Sequence, residues 1–280
     1  MPTEVMLVVL FAAALHATWN ALVKSGDDKL VDTALITAGA AVLAAACLPF
    51  LPHPAQACWP YLAASVAIHI LYFALVAAAY RAGDMSFAYP LMRGAGPLIV
   101  AVLSAAVIGE RLSAPAWAGV LLICGGVLGL ALAYRRPQGS ILEPTAFALG
   151  NALVIALYTF VDGVGACLSG QAFAYTFWMF LLTAPFLVVW PAITRFPALR
   201  AQVAARWRLG LIGGGCTLGS YALALWAMTK APIAPVAALR ETSILFGMGI
   251  AALVLKERFG WSRTLAAATI ALGTITLRLG

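Results

Sequence analysis

Charge is the scarcest feature of this sequence. Only 10% of its 280 residues are Asp, Glu, Lys or Arg, whereas 64% are apolar, and the mean hydropathy is +0.98. Soluble domains carry roughly 25% charged residues, so a water-soluble globular protein is excluded. The bilayer must be the solvent for most of the chain, and each spanning helix needs about 20 apolar residues.

Regular alternation of polar and apolar residues is also missing. Only helices and closed barrels satisfy their backbone groups in lipid, and the strands of a barrel alternate. The apolar runs here are long and unbroken, so the sequence predicts an all-α membrane protein with very short loops. Ten transmembrane helices are expected at about 5–23, 31–51, 59–80, 86–108, 114–134, 145–166, 172–194, 209–229, 233–255 and 262–279.

Other absences narrow the function. The sequence has no Gly-rich phosphate loop, which disfavours an ATP-driven pump, and its five cysteines show no metal-ligand spacing, so neither a metal nor another cofactor is expected. No nucleophile or metal set supports an intramembrane enzyme, and we therefore expect no enzymatic activity. No basic segment precedes the first apolar run, which indicates a retained helix rather than a cleaved signal.

The net charge of +7 indicates topology rather than nucleic-acid binding, because the basic residues are unevenly distributed over the loops. Three fall on one side: Arg111, Lys230 and Arg278. Twelve fall on the other: Lys24, Lys29, Arg81, Arg135, Arg136, Arg195, Arg200, Arg206, Arg208, Lys256, Arg258 and Arg263. This count favours a cytoplasmic first loop, both termini outside, and a multi-pass protein of a bacterial inner membrane.

The chain divides near its midpoint into two five-helix repeats, residues 1–136 and 144–280, joined by a linker at 137–143. Residues 93–111 align with 240–258 at a constant offset of 147, and six of the nineteen positions are identical. An odd number of spans makes the two copies enter the membrane from opposite sides, which is the inverted-repeat plan of many secondary transporters. The identical pairs are Arg93/Arg240, Leu98/Leu245, Ala105/Ala252, Val107/Val254, Glu110/Glu257 and Arg111/Arg258.

The chain resembles the EamA-like branch of the drug/metabolite transporter superfamily. The resemblance is carried by the ten short spans, by the duplication, and by the span-end sequences Gly109-Glu110-Arg111 and Lys256-Glu257-Arg258. It implies a small-metabolite carrier, most often an exporter of amino acids or related compounds. Many members have cytoplasmic termini, whereas the charge count favours termini outside. The orientation of this chain in the membrane therefore stays open. The span-end residues are expected to form caps or gate ion pairs rather than to bind ligands.

Ionisable groups inside spans are functional hypotheses by default. His16 and Asn20 lie four residues apart in the first span, and Tyr158 and Asp162 lie four residues apart in the sixth, so each pair shares a helix face. The rest of each helix is apolar, and we expect these faces to line the bundle interior. The alternative is that they hydrogen-bond neighbouring helices as packing contacts.

Arg93 and Arg240 are the most informative pair, because they are repeat mates that lie about seven residues inside their spans. A guanidinium suits bidentate binding of a carboxylate or phosphonate. The hypothesis is that they hold an anionic substrate group, with Asp162 or Glu241 binding an amine. The alternative is structural: Arg240 pairs with Glu241 or Asp162, and Arg93 with a backbone carbonyl.

The sequence thus predicts a secondary transporter of amino acids or related zwitterionic or anionic compounds that works by alternating access. Export is the expected direction of transport. Its partners are membrane lipid, the small-molecule substrate and protons, with no nucleic acid, and it is a monomer or homodimer. The alternatives are a multidrug or cationic-compound exporter, which two buried arginines would disfavour, and a non-transport scaffold or sensor subunit. The cavity is expected between the first, third, fourth, sixth, eighth and ninth spans.

The candidate residues fall into two groups. The expected substrate-binding residues are Arg93, Arg240, Tyr89, Tyr72, Tyr158, Trp19, Asn20 and Trp226, and Trp178 and Tyr221 are further candidates for aromatic walls. The expected proton carriers are His16, His69, Asp162 and Glu241, since imidazole titrates near neutral pH and a buried carboxyl can be tuned toward it.

Overall fold

The protein is all-α, as the sequence predicts, and is seen in a computed structural model that describes residues 1–25, 28–82, 85–132, 142–254 and 260–279. These residues form eleven α-helices and two short 3₁₀ turns, and no strand occurs among them. The helices are α1 Thr3–Lys24, α2 Lys29–Cys47, α3 Trp59–Ala82, α4 Met85–Val107, α5 Ala114–Leu132, α6 Leu142–Ser169, α7 Ala172–Thr194, α8 Phe196–Met228, α9 Ile233–Arg240, α10 Ser243–Val254 and α11 Trp261–Leu279.

Nine helical segments of this described part are long and apolar enough to cross a membrane, with α9 and α10 counted together as one segment. The less apolar α11, at 19 residues, supplies the tenth helix of spanning length and packs along α5. The prediction of a multi-pass membrane protein is confirmed. Most helix ends lie within a few residues of the predicted bounds, but two spans differ.

The eighth span begins earlier than expected. The sequence predicts a loop before residue 209, whereas α8 starts at Phe196 and leaves helical geometry at Arg206, where φ is −132° and ψ is 22°. The segment before this kink is held against α2, because Gln202 donates to the buried Asp32 at 2.5 Å and Arg206 lies 3.5 Å from the same carboxylate. Hydropathy alone does not identify this segment, since polar residues such as Gln202 and Arg206 lower its apolar character and contact α2.

The ninth span is discontinuous, whereas the sequence predicts one continuous helix. Hydrogen bonds at the break run between residues three apart, from Glu241 N to Ala238 O and from Ile244 N to Glu241 O, both at 3.0 Å. The Thr242 hydroxyl also donates to Leu239 O at 2.7 Å. Such side-chain bonds compete with the helical pattern of the backbone. The break places Arg240 and Glu241 at the end of a half-helix inside the bundle.

Several helix contacts between the two halves correspond in pairs when the halves are exchanged. The contact of α3 with α6 corresponds to that of α1 with α8, and the contact of α4 with α6 corresponds to that of α1 with the α9–α10 span. The pairs α2–α7 and α5–α11 each join equivalent helices. Most of the predicted linker 137–143 and the segment Lys256-Glu257-Arg258 lie outside the described residues. The repeat boundaries therefore stay a prediction.

Close contact between α5 and α11 depends on glycine. A Cβ atom added to Gly126 would lie 2.7 Å from Ile270 Cγ1 and 3.0 Å from the carbonyl oxygen of Ala266. Small residues let transmembrane backbones approach in this way. The neighbouring Gly125 has open space around the same position.

We expect Gly126→Ala to lower the free energy of unfolding in detergent micelles by about 1–3 kcal/mol, the usual cost of overpacking. Gly125→Ala is the matched control, because it adds the same methyl group one residue away with nothing to meet. Its unfolding free energy should stay at or slightly above that of the wild-type protein, since Ala favours helix over Gly. Equal effects of the two substitutions would contradict this account of the α5–α11 contact.

Candidate functional site

A central cavity of about 140 Å³ lies among the helices of both halves. It brings together most of the residues that the sequence singles out, although their binding and proton-carrying roles stay predictions. The predicted residues in its wall are His16, Trp19, Asn20, His69, Tyr72, Tyr89, Arg93, Tyr158, Tyr221 and Arg240.

The expected set of lining helices was incomplete. Besides the six expected spans, α2 contributes Thr33 and Thr37, and α7 contributes Phe180 and Thr183. The Thr33 hydroxyl donates to Lys29 O at 2.7 Å within its own helix. A threonine whose hydroxyl bonds to its own helix is compatible with an apolar span and does not stand out in a hydropathy pattern. The sequence therefore gives no sign that α2 lines the cavity.

Arg93 and Glu241 form a buried ion pair between α4 and the end of α9. Arg93 Nε lies 2.9 Å from Glu241 Oε2, and the two side chains are only 7% and 5% exposed. The partners expected in the structural alternative were Glu241 or Asp162 for Arg240 and a backbone carbonyl for Arg93. They differ from the observed pair, because the chain turns at Glu241 and brings its carboxylate to α4. Whether Arg93 has a structural role or a binding role stays a prediction. Among the described residues, Arg93 Nη2 has no hydrogen-bond partner.

Arg240 has a different environment from its repeat mate. Its guanidinium lies over the ring of Tyr221, with Cζ 4.9 Å from the ring centroid, which is a cation–π contact. Within the part of the chain that the structure describes, no ion pair involves Arg240. The repeat equivalent of Glu241 is Gly94, so only one half of the duplication supplies a carboxylate. One arginine is thus neutralised, and the other presents its charge to the cavity.

Asp162 lies behind the cavity wall rather than in it. Its side chain is fully buried and accepts hydrogen bonds from the Tyr175 hydroxyl at 2.9 Å and the Tyr221 hydroxyl at 2.5 Å. The sequence indicates Tyr221 only as a wall residue, and Tyr175 was missed. Both tyrosines could have been assigned from one rule. A buried tyrosine hydroxyl needs a hydrogen-bond acceptor, and Asp162 is a buried carboxylate in a neighbouring span.

Both predicted intramembrane histidines are in the wall. His16 Nδ1 accepts from Trp19 Nε1 at 3.3 Å, and the two rings are nearly perpendicular with their centroids 5.3 Å apart. His69 Nδ1 lies 2.9 Å from the Ser65 carbonyl, and its ring centroid lies 4.4 Å from that of Tyr158. Imidazole and phenol rings therefore cover much of the cavity surface.

Two predicted aromatic wall residues lie elsewhere. Trp226 packs partly buried against the hydrophobic core and is absent from the cavity lining. Trp178 packs on Trp59 at a centroid distance of 5.6 Å. The position of a tryptophan along its span does not show whether it lines the cavity, because the rotation of the helix about its axis decides which face the side chain occupies.

The two ends of the cavity differ. A second space of about 450 Å³ shares His16, Asn20 and Tyr89 with the first and continues between α1 and α10 to Lys24, where the first helix ends. At the opposite end, the Glu110 carboxylate caps α9, accepting from Ile233 N at 2.6 Å and from Ala234 N at 3.4 Å. The described space therefore continues from the cavity toward the end of α1, whereas Glu110 holds the start of α9 on the other side. A cap is one of the two roles that the sequence predicts for Glu110, whereas Glu257 lies outside the described residues.

Comparison with known proteins supports the resemblance noted from the sequence. Residues 144–279 match the model of the EamA-like transporter family. A solved crystal structure of a protein aligns over 99% of this chain and 96% of its own, with a TM-score of 0.75 and 19% sequence identity. At that identity the likeness shows the fold alone, and it extends over both halves. No curated protein sequence matches the chain. The EamA-like resemblance noted from the sequence is confirmed over the second half of the chain.

The buried pair generates a stability prediction. We expect Glu241→Ala to destabilise the protein by about 3–5 kcal/mol, because it leaves the Arg93 guanidinium buried without its counter-ion. The double variant Arg93→Met, Glu241→Leu should recover most of this loss, since apolar side chains of similar volume often replace buried pairs at little cost. Free energies of unfolding in detergent provide the measurement.

The exposed pair Arg195–Asp28 is the control, because its side chains are 54% and 32% exposed at a distance of 2.7 Å. Arg195→Ala should cost no more than about 1 kcal/mol. A double variant as unstable as Glu241→Ala would show that the loss at this site arises from packing rather than from an unpaired charge.

Proposed function

We propose that this chain, whose second half carries the EamA-like pattern, is a secondary transporter of the bacterial inner membrane for small anionic or zwitterionic metabolites, with amino acids as the leading class. The observation that carries the proposal is Arg240, which lies in the cavity wall and, among the described residues, forms no ion pair. We expect alternating access without enzymatic chemistry.

Charge complementarity supports an anionic group on the substrate. Arg93 and Arg240 share one cavity, while Glu241 neutralises only the first of them. A planar guanidinium binds a carboxylate in bidentate fashion, and the bond is strong where water is excluded. An anion at Arg240 supplies the missing counter-charge. A cationic substrate meets a guanidinium that has no ion-pair partner there, which disfavours the multidrug alternative.

The same cavity offers aromatic faces for an amine. Both carboxylates near it are already engaged, Glu241 by Arg93 and Asp162 by two tyrosine hydroxyls. The rings of Tyr72 and Tyr158 lie 5.5 Å apart at 78° in the wall. Ammonium groups bind such faces through the ring quadrupole, so an amino acid fits without a free carboxylate in the wall.

The two ends of α9 support a rocking mechanism. This half-helix is buried along its length, is capped by Glu110 at one end, and carries Arg240 at the other. Discontinuous helices at the interface of inverted repeats form the substrate sites of many transporters. The space that continues from the cavity leads toward the loop that follows Lys24, which the charge distribution predicts to be cytoplasmic. Loading from that side corresponds to export.

The test is uptake into proteoliposomes of a defined panel: L-alanine, L-glutamate, 2-aminoethylphosphonate, succinate and ethidium. We expect flux of an anionic or zwitterionic probe. In Arg240→Gln the flux at subsaturating concentration should fall about 10- to 150-fold, since hydrogen bonds to charged groups are worth about 1.5–3 kcal/mol. Arg278→Gln is the matched control, because Arg278 is exposed at the end of α11, away from the cavity.

Three outcomes would contradict the proposal. Flux of ethidium alone would favour the cationic-compound exporter and make the arginines structural. Full flux in Arg240→Gln would remove the anion-binding role. No flux of any probe in correctly folded protein would favour a scaffold or sensor subunit.

A further inference from the structure

Helix α8 is longer than a membrane span requires. It has 33 residues, which at the usual rise of an α-helix makes it about 50 Å long, whereas the hydrocarbon core of a bilayer is about 30 Å thick. The part that follows the kink at Arg206 is long enough to cross the core alone. Residues 196–206 are therefore left for the membrane surface. Together with Trp207 and Arg208 they form what we call the elbow segment, because it joins α7 to the spanning part of α8.

Polar contacts hold one side of the elbow segment beside the start of α2. Gln202 donates to Asp32 at 2.5 Å, and Arg206 lies 3.5 Å from the same carboxylate. Just before the segment, Arg195 pairs with Asp28 at 2.7 Å, and Asp28 in turn caps the first turn of α2. The elbow segment therefore lies on the side of the bundle where the loop between α1 and α2 lies, which is the side that the charge count predicts to be cytoplasmic.

A second side of the elbow segment is apolar and uncovered. Phe196 and Val203 lie two helical turns apart, so they share one side, and they are 57% and 45% exposed. Trp207 lies one turn beyond Val203 and is 50% exposed. Arg200 lies one turn after Phe196, so it stands on the same side as the apolar residues. An apolar stripe with a tryptophan and basic residues is typical of helices that lie in the membrane interface.

Two arginines of the elbow segment keep their charge for an outside partner. Arg200 and Arg208 are exposed and form no ion pair with any residue that the structure describes, in contrast to Arg195 and Arg206. The Arg208 guanidinium lies over the ring of Trp207, with Cζ 5.4 Å from the ring centroid. Both cations therefore stand beside the apolar stripe, at the level where lipid headgroups meet acyl chains, and a guanidinium binds phosphate oxygens in bidentate fashion.

We propose that the elbow segment is a binding site for an anionic phospholipid, with Arg200 and Arg208 on the phosphate and the stripe of Phe196, Val203 and Trp207 against the upper acyl chains. Charge and apolarity together select this occupant. A free anion leaves the apolar stripe uncovered, and the cation of a zwitterionic headgroup opposes the two arginines. Anionic lipids give the cytoplasmic leaflet its negative surface potential, which attracts basic segments next to a span. The inference is independent of the substrate that the cavity carries.

The test is thermal unfolding of the full-length protein in a neutral detergent, titrated with dioleoylphosphatidylglycerol, dioleoylphosphatidylcholine or inorganic phosphate. A ligand of the folded state raises Tm with concentration. We expect a saturable rise with phosphatidylglycerol, a smaller one with phosphatidylcholine and none with phosphate. In the double variant Arg200→Gln, Arg208→Gln the phosphatidylglycerol concentration at half the rise should increase about 30-fold, the product of about fivefold for each basic residue at an anionic surface.

The matched control is the double variant Lys230→Gln, Arg278→Gln, which removes the same net charge from two exposed positions. Lys230 follows the other end of α8, and Arg278 lies in the last turn of α11. Its response to phosphatidylglycerol should stay at the wild-type value. A second measurement needs no variant: hydrogen exchange of the wild-type amides. We expect phosphatidylglycerol to slow exchange in residues 196–208, whereas phosphatidylcholine leaves it unchanged.

Four results would overturn the inference, and none of them bears on transport. Equal rises of Tm with the two lipids would remove the preference for an anionic headgroup. A rise with inorganic phosphate as large as that with phosphatidylglycerol would make the site one for a free anion. An equal loss of response in the two double variants would show an effect of net charge alone. Unchanged exchange in residues 196–208 would place the lipid elsewhere, even if the Arg200 and Arg208 variant fails to fold.

Discussion

A charged guanidinium inside a helical membrane bundle must find a counter-charge or an aromatic face, and this requirement organises the centre of the protein. Arg93 meets it with Glu241 at 2.9 Å, across the gap between α4 and α9. Glu241 reaches α4 because the ninth span stops being α-helical at Arg240. The ion pair and the break therefore depend on each other, and together they leave Arg240 to lie on Tyr221.

Duplication explains why there are two arginines, and its imperfection explains why they differ. The offset that pairs Arg93 with Arg240 pairs Gly94 with Glu241, so the carboxylate belongs to one half alone. A symmetric frame allows the halves to rock, whereas a site for one small molecule has no need of symmetry. That single difference gives Arg93 an ion-pair partner and leaves Arg240 without an equivalent one among the described residues.

The sequence allowed much of the fold to be predicted. Hydropathy and length located the spans, because in lipid each helix must satisfy its own backbone and remain apolar for about 20 residues. Both arginines and both histidines could be singled out, since ionisable groups are rare at that depth. Most predicted site residues do line one cavity.

What the sequence could not provide was orientation around each helix axis and the pairing of side chains. Thr242 donates the hydroxyl bond that accompanies the break in the ninth span. In the sequence it is a single threonine within an apolar run, and nothing there marks it as the site of a break. The partner of Glu241 lies 148 residues away, and Tyr175 and Tyr221 meet Asp162 only once three helices are assembled. Spacing along one helix carries no information on such contacts.

The central claim is that the free charge of Arg240 selects an anionic group, and thermal unfolding of the purified protein tests it most directly. The comparison is between an amino acid, its methyl ester and the amine that lacks the carboxylate. A ligand that binds the folded state raises Tm with concentration. The account predicts that the free acid raises Tm, whereas the ester and the amine leave it unchanged. Equal or greater stabilisation by the ester or the amine would contradict it.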